Sequence, residues 1–226
     1  LSEEGLSCAP YHAGLPADKR SQIQEEFISG RLDTVVATNA FGMGIDRADV
    51  RRVIHFNLPS TLEAYYQEAG RAGRDGEPAR AVLLYDPDDR GLQEWFINED
   101  EADYGELTAL FKALGRLTAS GGPAPGTAWL TLDEIAVTAG QHPRKVRVGL
   151  AQLEGAGVIE RQGDNGFQAQ VTVKGWQQRA VKEAAAAAKE RQRQKRARLA
   201  RMVAYAETNG CRRQVIPSFE VAMRMR

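Results

Sequence analysis

Short apolar runs alternate with helical signals along the first hundred residues. The runs at 34–38, 52–56 and 81–85 are rich in Val, Ile and Leu and are bounded by polar and turn residues, which predicts buried strands. Residues 16–30 begin with Pro and end with Gly, and residues 60–69 begin with a Ser-x-x-Glu capping pattern, so both predict helices. Strands that alternate with helices favour an α/β lobe, in which helices cover both faces of a parallel sheet.

A different pattern follows between residues 131 and 175. Two short amphipathic helices are predicted at 132–140 and 143–157, and the sequence around Asp164 predicts a β-hairpin. Helix, turn, helix and hairpin are typical of a winged helix-turn-helix, although other small domains also fit this pattern. Ala and straight-chain residues then predict one long helix within 176–209.

The region between these two patterns has the composition of a linker. Residues 97–106 are acidic, and residues 118–129 are rich in Gly, Pro, Ala and Ser. We therefore expect a domain boundary near 121–126. The predicted segments are an α/β lobe at 1–98, a linker region at 99–130, a winged-helix domain at 131–175, and a long basic helix with a final segment at 176–226.

Composition is that of an ordinary globular protein, with 42% hydrophobic and 27% charged residues among 226. The absence of a long apolar run predicts no membrane span, and the N-terminus lacks the pattern of a signal peptide. It also lacks an initiator methionine, so we expect a fragment of a longer chain. The two cysteines, Cys8 and Cys211, lie far apart, which favours a reducing cytoplasm over a disulfide.

A formal net charge of zero conceals an asymmetry between the two ends of the chain. Residues 1–95 hold 10 Lys/Arg and 16 Asp/Glu, a net of −6, whereas residues 177–226 hold 13 and 4, a net of +9. The basic section predicts a polyanionic partner. A solvated charged helix explains the same charge equally well.

Two motifs carry candidate chemistry. In YYQEAGRAGRDG (65–76), Gln67, Arg71 and Arg74 alternate with three glycines, so guanidinium forks suited to phosphate stand where the backbone can approach a ligand closely. In the second motif, at 35–59, a predicted strand ends at Thr38 and Asn39, and the chain then passes Gly42 and Gly44 to Asp46. Hydroxyl, amide and bare backbone after a strand could hold a phosphate or a nucleotide edge. The alternatives are a solvated turn and an ordinary strand-end turn.

Three stretches, YHAGL (11–15), VVATNAFGMGID (35–46) and YYQEAGRAGRDG (65–76), resemble the second motor lobe of superfamily-2 helicases, most closely the RecQ family of ATP-dependent DNA helicases. The resemblance covers roughly residues 1–96. It implies a RecA-like lobe that closes over ATP and Mg²⁺ held mainly by a preceding lobe, with 3′–5′ unwinding of DNA. Gly44 and Asp46 resemble positions near the nucleotide.

The resemblance also implies roles for the charged and polar residues of these motifs. Arg74 would be the arginine finger, with Arg71 and Gln67 as its partners at the phosphates and the lobe interface. Thr38 and Asn39 would touch the DNA backbone, a type of contact that positions a strand without reading its sequence.

The phosphate-cradling motif GxxxxGK[ST] does not occur in the sequence. We therefore expect the chain to lack ATPase activity by itself and to need a first helicase lobe as its partner. The alternatives are a non-catalytic DNA-binding protein that carries a relic motor lobe, and a transcription regulator built on the winged helix. In the winged-helix prediction, Arg144, Lys145 and Arg147 face the DNA backbone or groove, and the alternative is that they face solvent.

The residues CRRQ (211–214) resemble the start of the zinc-binding segment of the family, in which three further cysteines follow the first. No cysteine follows Cys211 here, and structural zinc sites usually have four Cys or His ligands. We therefore predict a degenerate or truncated zinc segment within 176–226 and no metal ligands. The expected location is the cytoplasm, at the bacterial nucleoid.

Overall fold

The computed structural model describes residues 5–38, 41, 47–119, 126–164, 168–212 and 214. The chain divides into two compact units, of which the first comprises residues 1–86 and 205–226 and the second comprises residues 87–204.

The first unit is a small α/β lobe. Its elements in chain order are β1 (Cys8–Tyr11), α1 (Ala17–Ile28), β2 (Thr34–Ala37), β3 (Arg52–His55), α2 (Leu62–Ala69) and β4 (Arg80–Leu83). Strands β1 and β2 pair in parallel, and so do β3 and β4. Each parallel pair is joined by a helix, because parallel neighbours need a crossover connection. The prediction of a parallel α/β lobe is confirmed, although the described strands form two separate pairs.

Helix α1 covers its strand pair through aromatic packing. Phe27 is buried beside Leu32, and its ring centroid lies 5.7 Å from that of Phe41. The ring of Phe41 also meets the buried Tyr11, at 4.7 Å between centroids. The helix ends before Gly30, whose φ of +76° suits a residue without a side chain.

The start of α2 differs from the predicted one. The side chain of Thr61, rather than that of Ser60, caps the helix by accepting a hydrogen bond from the amide of Ala64 at 3.1 Å. The expected pairing of Ser60 with Glu63 was one residue out of register, because Thr61 has the extended backbone that an N-cap requires.

The second unit contains the remaining elements. These are α3 (Asp89–Glu99), α4 (Tyr104–Ala119), β5 (Thr127–Leu130), α5 (Leu132–Ala139), α6 (Pro143–Gly155), β6 (Ile159–Asp164), β7 (Ala169–Val173) and α7 (Gln178–Glu207), whose last residues belong to the first unit. Helices α5 and α6 precede the β6–β7 hairpin, and β5 adds to it in the antiparallel order β5–β7–β6. The predicted helix, turn, helix and hairpin are all present. Their assignment to the winged-helix class stays a prediction.

The predicted linker at 99–130 is corrected by the position of α4. Leu107, Leu110 and Leu114 on this helix are fully buried and share one core with residues of α5, α6 and the sheet. The packing is close, because a Cβ added to Gly149 of α6 would lie 2.6 Å from Cδ2 of Leu110. The boundary expected near 121–126 is therefore misplaced, and the compact units meet at 86/87 instead.

Candidate functional site

An open cavity in the first unit lies at the end of α2. It has a volume of about 500 Å³ and is lined by Tyr66, Gln67, Gly70, Arg71 and Arg74. The last turn of α2 supplies Tyr66 and Gln67, and the chain that leaves the helix supplies the two arginines. The structure thus brings together the three residues that the sequence proposed as a catalytic set.

The glycine corner after α2 fixes the path of the chain between the two arginines. Gly73 has a φ of +66°, and a Cβ there would lie 2.8 Å from the backbone oxygen of Glu77 and 3.0 Å from Cβ of Ala79. The amide of Gly73 donates to the carbonyl of Val50 at 2.9 Å. Glycine is therefore required by both the backbone conformation and the close approach of neighbouring atoms.

An ion pair joins the glycine corner to the segment that precedes β3. The guanidinium of Arg51 is paired with Asp75 and also donates to the carbonyl of Asp49 at 3.1 Å. Burial raises the pKa of Asp75. The amide of Glu77 and the guanidinium of Arg51 lower it by a larger amount, so the pKa of Asp75 lies below its ordinary value. Asp75 is therefore charged at neutral pH and is paired with Arg51.

Helix α2 is held against β3 by a second polar pair. Nε2 of the buried His55 lies 2.8 Å from Oε2 of Glu68, one residue after Gln67 in the chain. The ring of Tyr65 packs on that of His55 at 4.9 Å between centroids and on that of Tyr205 at 5.2 Å. Burial and the Tyr65 hydroxyl raise the pKa of Tyr205, so the Tyr205 phenol is neutral at physiological pH.

The electrostatic character of the cavity follows from this arrangement. Arg71 is half-buried, whereas Gln67 and Arg74 are exposed, and Nε of Arg74 approaches the carbonyl of Gly70 at 3.5 Å. Two permanently charged guanidiniums and an amide at one open concavity can donate several hydrogen bonds to an anion such as a phosphate. Tyr66, which is 45% exposed, also lines the cavity and was not in the predicted site set.

Of the motif residues in the first unit that were predicted near nucleotide and DNA, the structure describes only Thr38. It follows β2 directly and has an exposed side chain, while its amide donates to the carbonyl of Tyr11 at 3.1 Å. Asn39, Gly44 and Asp46 lie outside the described residues.

In the second unit, the predicted DNA contacts lie in the first turn of α6. Arg144 is exposed and its Nη2 lies 2.6 Å from Oδ1 of Asp100, with the ring of Phe96 5.2 Å from its guanidinium carbon. Arg147 is exposed, one turn later, and forms no ion pair with the residues that the structure describes. Arg147 is placed where an external anion can reach it, whereas an anion at Arg144 would have to compete with the Asp100 carboxylate.

Lys145 has a different position, which corrects the expectation that it faces a DNA backbone or groove. It is only 8% exposed, and its Nζ donates to the carbonyl oxygens of Asn98 at 2.6 Å and Glu101 at 2.8 Å. The ammonium also lies 3.4 Å from a carboxylate oxygen of Glu106. Lys145 therefore satisfies backbone acceptors after α3 and stabilises the interior of the unit.

The cations near the hairpin are paired within the unit. Nη2 of Arg161 lies 2.5 Å from Oε2 of Glu154, and Nζ of Lys174 lies 2.6 Å from Oε2 of Glu160. The pKa of Glu154 and that of Glu160 are lowered, mainly by these hydrogen bonds. Any phosphate contact from Arg161 or Lys174 would have to compete with these carboxylates.

Comparisons with known proteins define two parts of the chain. Residues 1–76 match the family "Helicase conserved C-terminal domain", and residues 173–219 match the family "RecQ zinc-binding". The first unit therefore contains a region that matches a helicase C-terminal domain. The two matched ranges leave residues 77–172 between them, which include most of the second unit.

Relatives narrow this class to one family. The chain is 45% identical over 122 residues to "ATP-dependent DNA helicase RecQ" of Pasteurella multocida, which is 53% of this chain and 19% of the relative. It is 53% identical over 108 residues to the protein of the same name from Haemophilus influenzae, covering 47% and 17%. With "Probable ATP-dependent DNA helicase RecS" of Bacillus subtilis the identity is 48% over 104 residues, covering 46% and 21%. The chain thus spans about a fifth of the length of these relatives, and it carries a C-terminal portion of a RecQ-family helicase.

The solved C-terminal domain of the DEAD-box protein Dbp5 overlaps 42% of this chain and 59% of its own, with 25% identity and a TM-score of 0.34. A TM-score this low supports no further conclusion.

The zinc-binding family match raises the question of whether this chain can hold zinc. The matched range 173–219 contains one cysteine, Cys211, and no histidine, and Cys211 is exposed and outside any disulfide. Among the described residues there is no group of three or more His, Cys, Asp and Glu that could hold a metal. The residues present therefore do not fit a four-ligand structural zinc site. Among all the residues that the structure describes, no helix combines the length and apolar character needed to cross a bilayer.

Proposed function

We propose that this chain supplies the trans side of the ATP site of a RecQ-type DNA helicase, together with contacts to the DNA backbone. The observation that carries the proposal is the shared cavity of Gln67, Arg71 and Arg74 beside a glycine corner. ATP and Mg²⁺ are held mainly by a preceding helicase lobe, which supplies the phosphate-binding loop, and Mg²⁺ neutralises phosphate charge there.

The chemical role of the arginines follows from the charge that develops during phosphoryl transfer. Arg74 stabilises the negative charge of the transferring group, and Arg71 and Gln67 orient the phosphates. An arginine supplied in trans accelerates such reactions by roughly 10³- to 10⁵-fold. The glycine corner and the Arg51–Asp75 pair hold Arg74 in place, so little reorganisation is needed when a phosphate arrives.

DNA contacts complete the proposed mechanism. Thr38, in the first unit, touches the backbone of single-stranded DNA. Arg144 and Arg147, which belong to the second unit, contact DNA phosphates. Closure of the preceding lobe on ATP and its reopening after hydrolysis move the strand past these contacts, with 3′–5′ unwinding in the bacterial cytoplasm. Asn39, Gly44 and Asp46 belong to the same proposal by their place in the motifs.

The test is DNA-stimulated ATP hydrolysis by a polypeptide in which a RecQ-family first lobe precedes this chain. Arg74→Ala should lower kcat by roughly a thousandfold or more, with a much smaller effect on ATP affinity. Lys19→Ala, which removes an exposed cation of α1, is the control and should leave kcat unchanged.

Two outcomes would count against the motor role. If Arg74→Ala hydrolyses ATP like the control, Arg74 contributes nothing to the transition state. If the chain alone hydrolyses ATP with DNA stimulation, it does not depend on a preceding lobe. Retained DNA binding without any ATPase in the joined polypeptide would favour a DNA-binding protein with a relic lobe.

A further inference from the structure

The most basic stretch of the protein lies on α7, between Lys189 and Arg201. These 13 residues contain seven Lys or Arg and one Glu, a net of +6. The whole chain has a net charge of zero, so the rest of the sequence carries a net of −6. A positive charge concentrated on one helix of a neutral protein is not explained by a need for overall solubility.

Three of the seven cations fasten α7 to the second unit. They meet side chains of the α3–α4 junction: Arg191 pairs with Glu101 at 2.7 Å, Lys195 with Asp100 at 3.2 Å, and Arg196 with the amide oxygen of Asn98 at 2.5 Å. Burial of Val181, Ala188, Leu199 and Met202 defines the same inward side of the helix.

The other four cations lie outside this attachment. Lys189, Arg193, Arg198 and Arg201 are exposed, and Arg193 has a long contact of 3.8 Å with Glu190. The remaining three form no ion pair with residues in the described ranges. Within the part of the chain that the structure describes, the inward cations thus have acidic or amide partners, and the outward ones have none of comparable quality.

The outward cations are arranged in a row. Lys189, Arg193 and Arg201 occupy one i, i+4 ridge, with Ala197 at the intervening position, and the ridge is about 18 Å long. Like charges four residues apart on a helix repel one another and destabilise it. The first half of α7 has the opposite design, because Arg179 pairs with Glu183 four residues later at 2.9 Å.

We propose that the outward row of α7, formed by Lys189, Arg193 and Arg201, is a binding surface for the phosphate backbone of nucleic acid. A polyanion laid along the row relieves the repulsion between its cations and releases condensed counterions. The contacts are to phosphate and carry no sequence preference. This inference deepens the proposed DNA-binding function by adding a surface that is separate from the first turn of α6.

The experiment measures binding of the chain to a fluorescein-labelled dT oligonucleotide and to a labelled duplex by anisotropy, over a series of salt concentrations. The variant K189Q/R193Q/R201Q removes the row, and Gln keeps a high helix propensity. The charge-matched control is K19Q/R90Q/R179Q, which removes three exposed cations elsewhere, two of them in i, i+4 pairs. Circular dichroism verifies that both variants fold.

For the row variant, the slope of log K against log salt should become shallower by about 2 for the single strand or about 3 for the duplex. The probe whose slope changes by its own expected amount, while the other probe keeps the wild-type slope, identifies the form of nucleic acid that lies on α7. The titration contains no ATP and needs no preceding lobe, so a failure of the proposed ATP site leaves this result interpretable.

The proposal is overturned if the row variant and the control have the same slope and affinity, or if the wild-type chain binds neither probe at low salt. It is also overturned if the row variant loses binding to anionic phospholipid vesicles while its binding to both nucleic acids is unchanged.

Discussion

Arg191 and Glu101 form a two-point ion pair, in which Nε of Arg191 lies 2.7 Å from Oε1 of Glu101 and Nη2 lies 2.8 Å from Oε2. The Glu101 side chain is only 8% exposed, whereas that of Arg191 is 50% exposed. The pair joins residues 90 positions apart in the sequence, so it fastens the middle of α7 to the segment between α3 and α4.

Removal of this pair should destabilise the protein. Arg191→Ala leaves a buried carboxylate without its main partner, so we expect the free energy of unfolding to fall by about 1–3 kcal/mol. The matched control is Arg179→Ala on the same helix, whose side chain is 93% exposed and whose loss should cost about 0.5 kcal/mol or less. Urea denaturation of both variants measures the difference, and equal midpoints would show that the ion pair contributes nothing.

Asp100 should make part of the stability dependent on pH. Burial raises the pKa of Asp100, but hydrogen bonds from Arg144 and Lys195 lower it by a larger amount. The pKa of Asp100 in the folded protein is therefore below its ordinary value. A carboxyl with a depressed folded pKa adds stability above the unfolded pKa of about 4 and loses it as the pH falls through the folded value.

We therefore expect Asp100→Asn to be less stable than the wild type by a constant amount between about pH 5 and 7, and the difference to shrink below about pH 4. Chemical denaturation at several pH values provides the measurement. Glu94→Gln removes an exposed carboxylate of an i, i+4 pair and should produce only a small difference across this range. A stability difference for Asp100→Asn that persists undiminished at pH 3 would contradict the role of the charged carboxylate.

Gly73→Ala should disturb the corner that holds Arg74. Its φ of +66° and the Glu77 oxygen 2.8 Å from the added Cβ predict a loss of about 1–3 kcal/mol in unfolding free energy, with a fall in ATPase of the joined polypeptide. Gly91→Ala, in α3, is the control because no atom lies within 4 Å of its added Cβ, and it should be neutral or stabilising by up to about 1 kcal/mol. Wild-type stability and ATPase in Gly73→Ala would refute the structural requirement for glycine.

Lys145 and Arg147 are two positions apart on α6, yet the substitution of Lys145 should affect stability and that of Arg147 should affect DNA binding. Lys145→Ala leaves the carbonyls of Asn98 and Glu101 without their buried donor, which should cost about 2–4 kcal/mol of stability. Arg147→Ala should change stability by about 0.5 kcal/mol or less but should reduce the salt-dependence slope of DNA binding by about 1. Thermal unfolding and DNA titrations on both variants check the pair of outcomes, and a stable Lys145→Ala protein with a reduced slope would reverse our assignment.

Within the lobe, the sequence predicted those strands that are rich in β-branched residues. Strands β2 and β3 fall within the predicted runs and β4 begins one residue before its run, whereas β1, with the sequence CAPY, was not predicted. A four-residue strand that contains Pro has no period-2 signal, and only its parallel partner identifies it. Gln67, Arg71 and Arg74 line one cavity because their spacing follows one helix and its continuation, and their catalytic role stays a prediction.

Other errors arose where distant segments decide the environment of a residue. Helix α4 carried a readable signal, with Leu107, Leu110 and Leu114 at helical spacing, but the neighbouring Gly- and Pro-rich residues obscured it. Lys145 had no such signal, because a cation in the first turn of a helix is normally exposed. The acceptors that bury it, the carbonyls of Asn98 and Glu101, lie more than 40 positions earlier in the chain.

The shared core of α4 and α6 has a practical consequence for protein production. A truncation within 121–126 would separate Leu110 from Gly149 and leave an apolar helix surface uncovered on each fragment. Fragments of this kind tend to aggregate during expression. Plasmids that encode the second unit should therefore start near Pro87, rather than after the glycine-rich stretch.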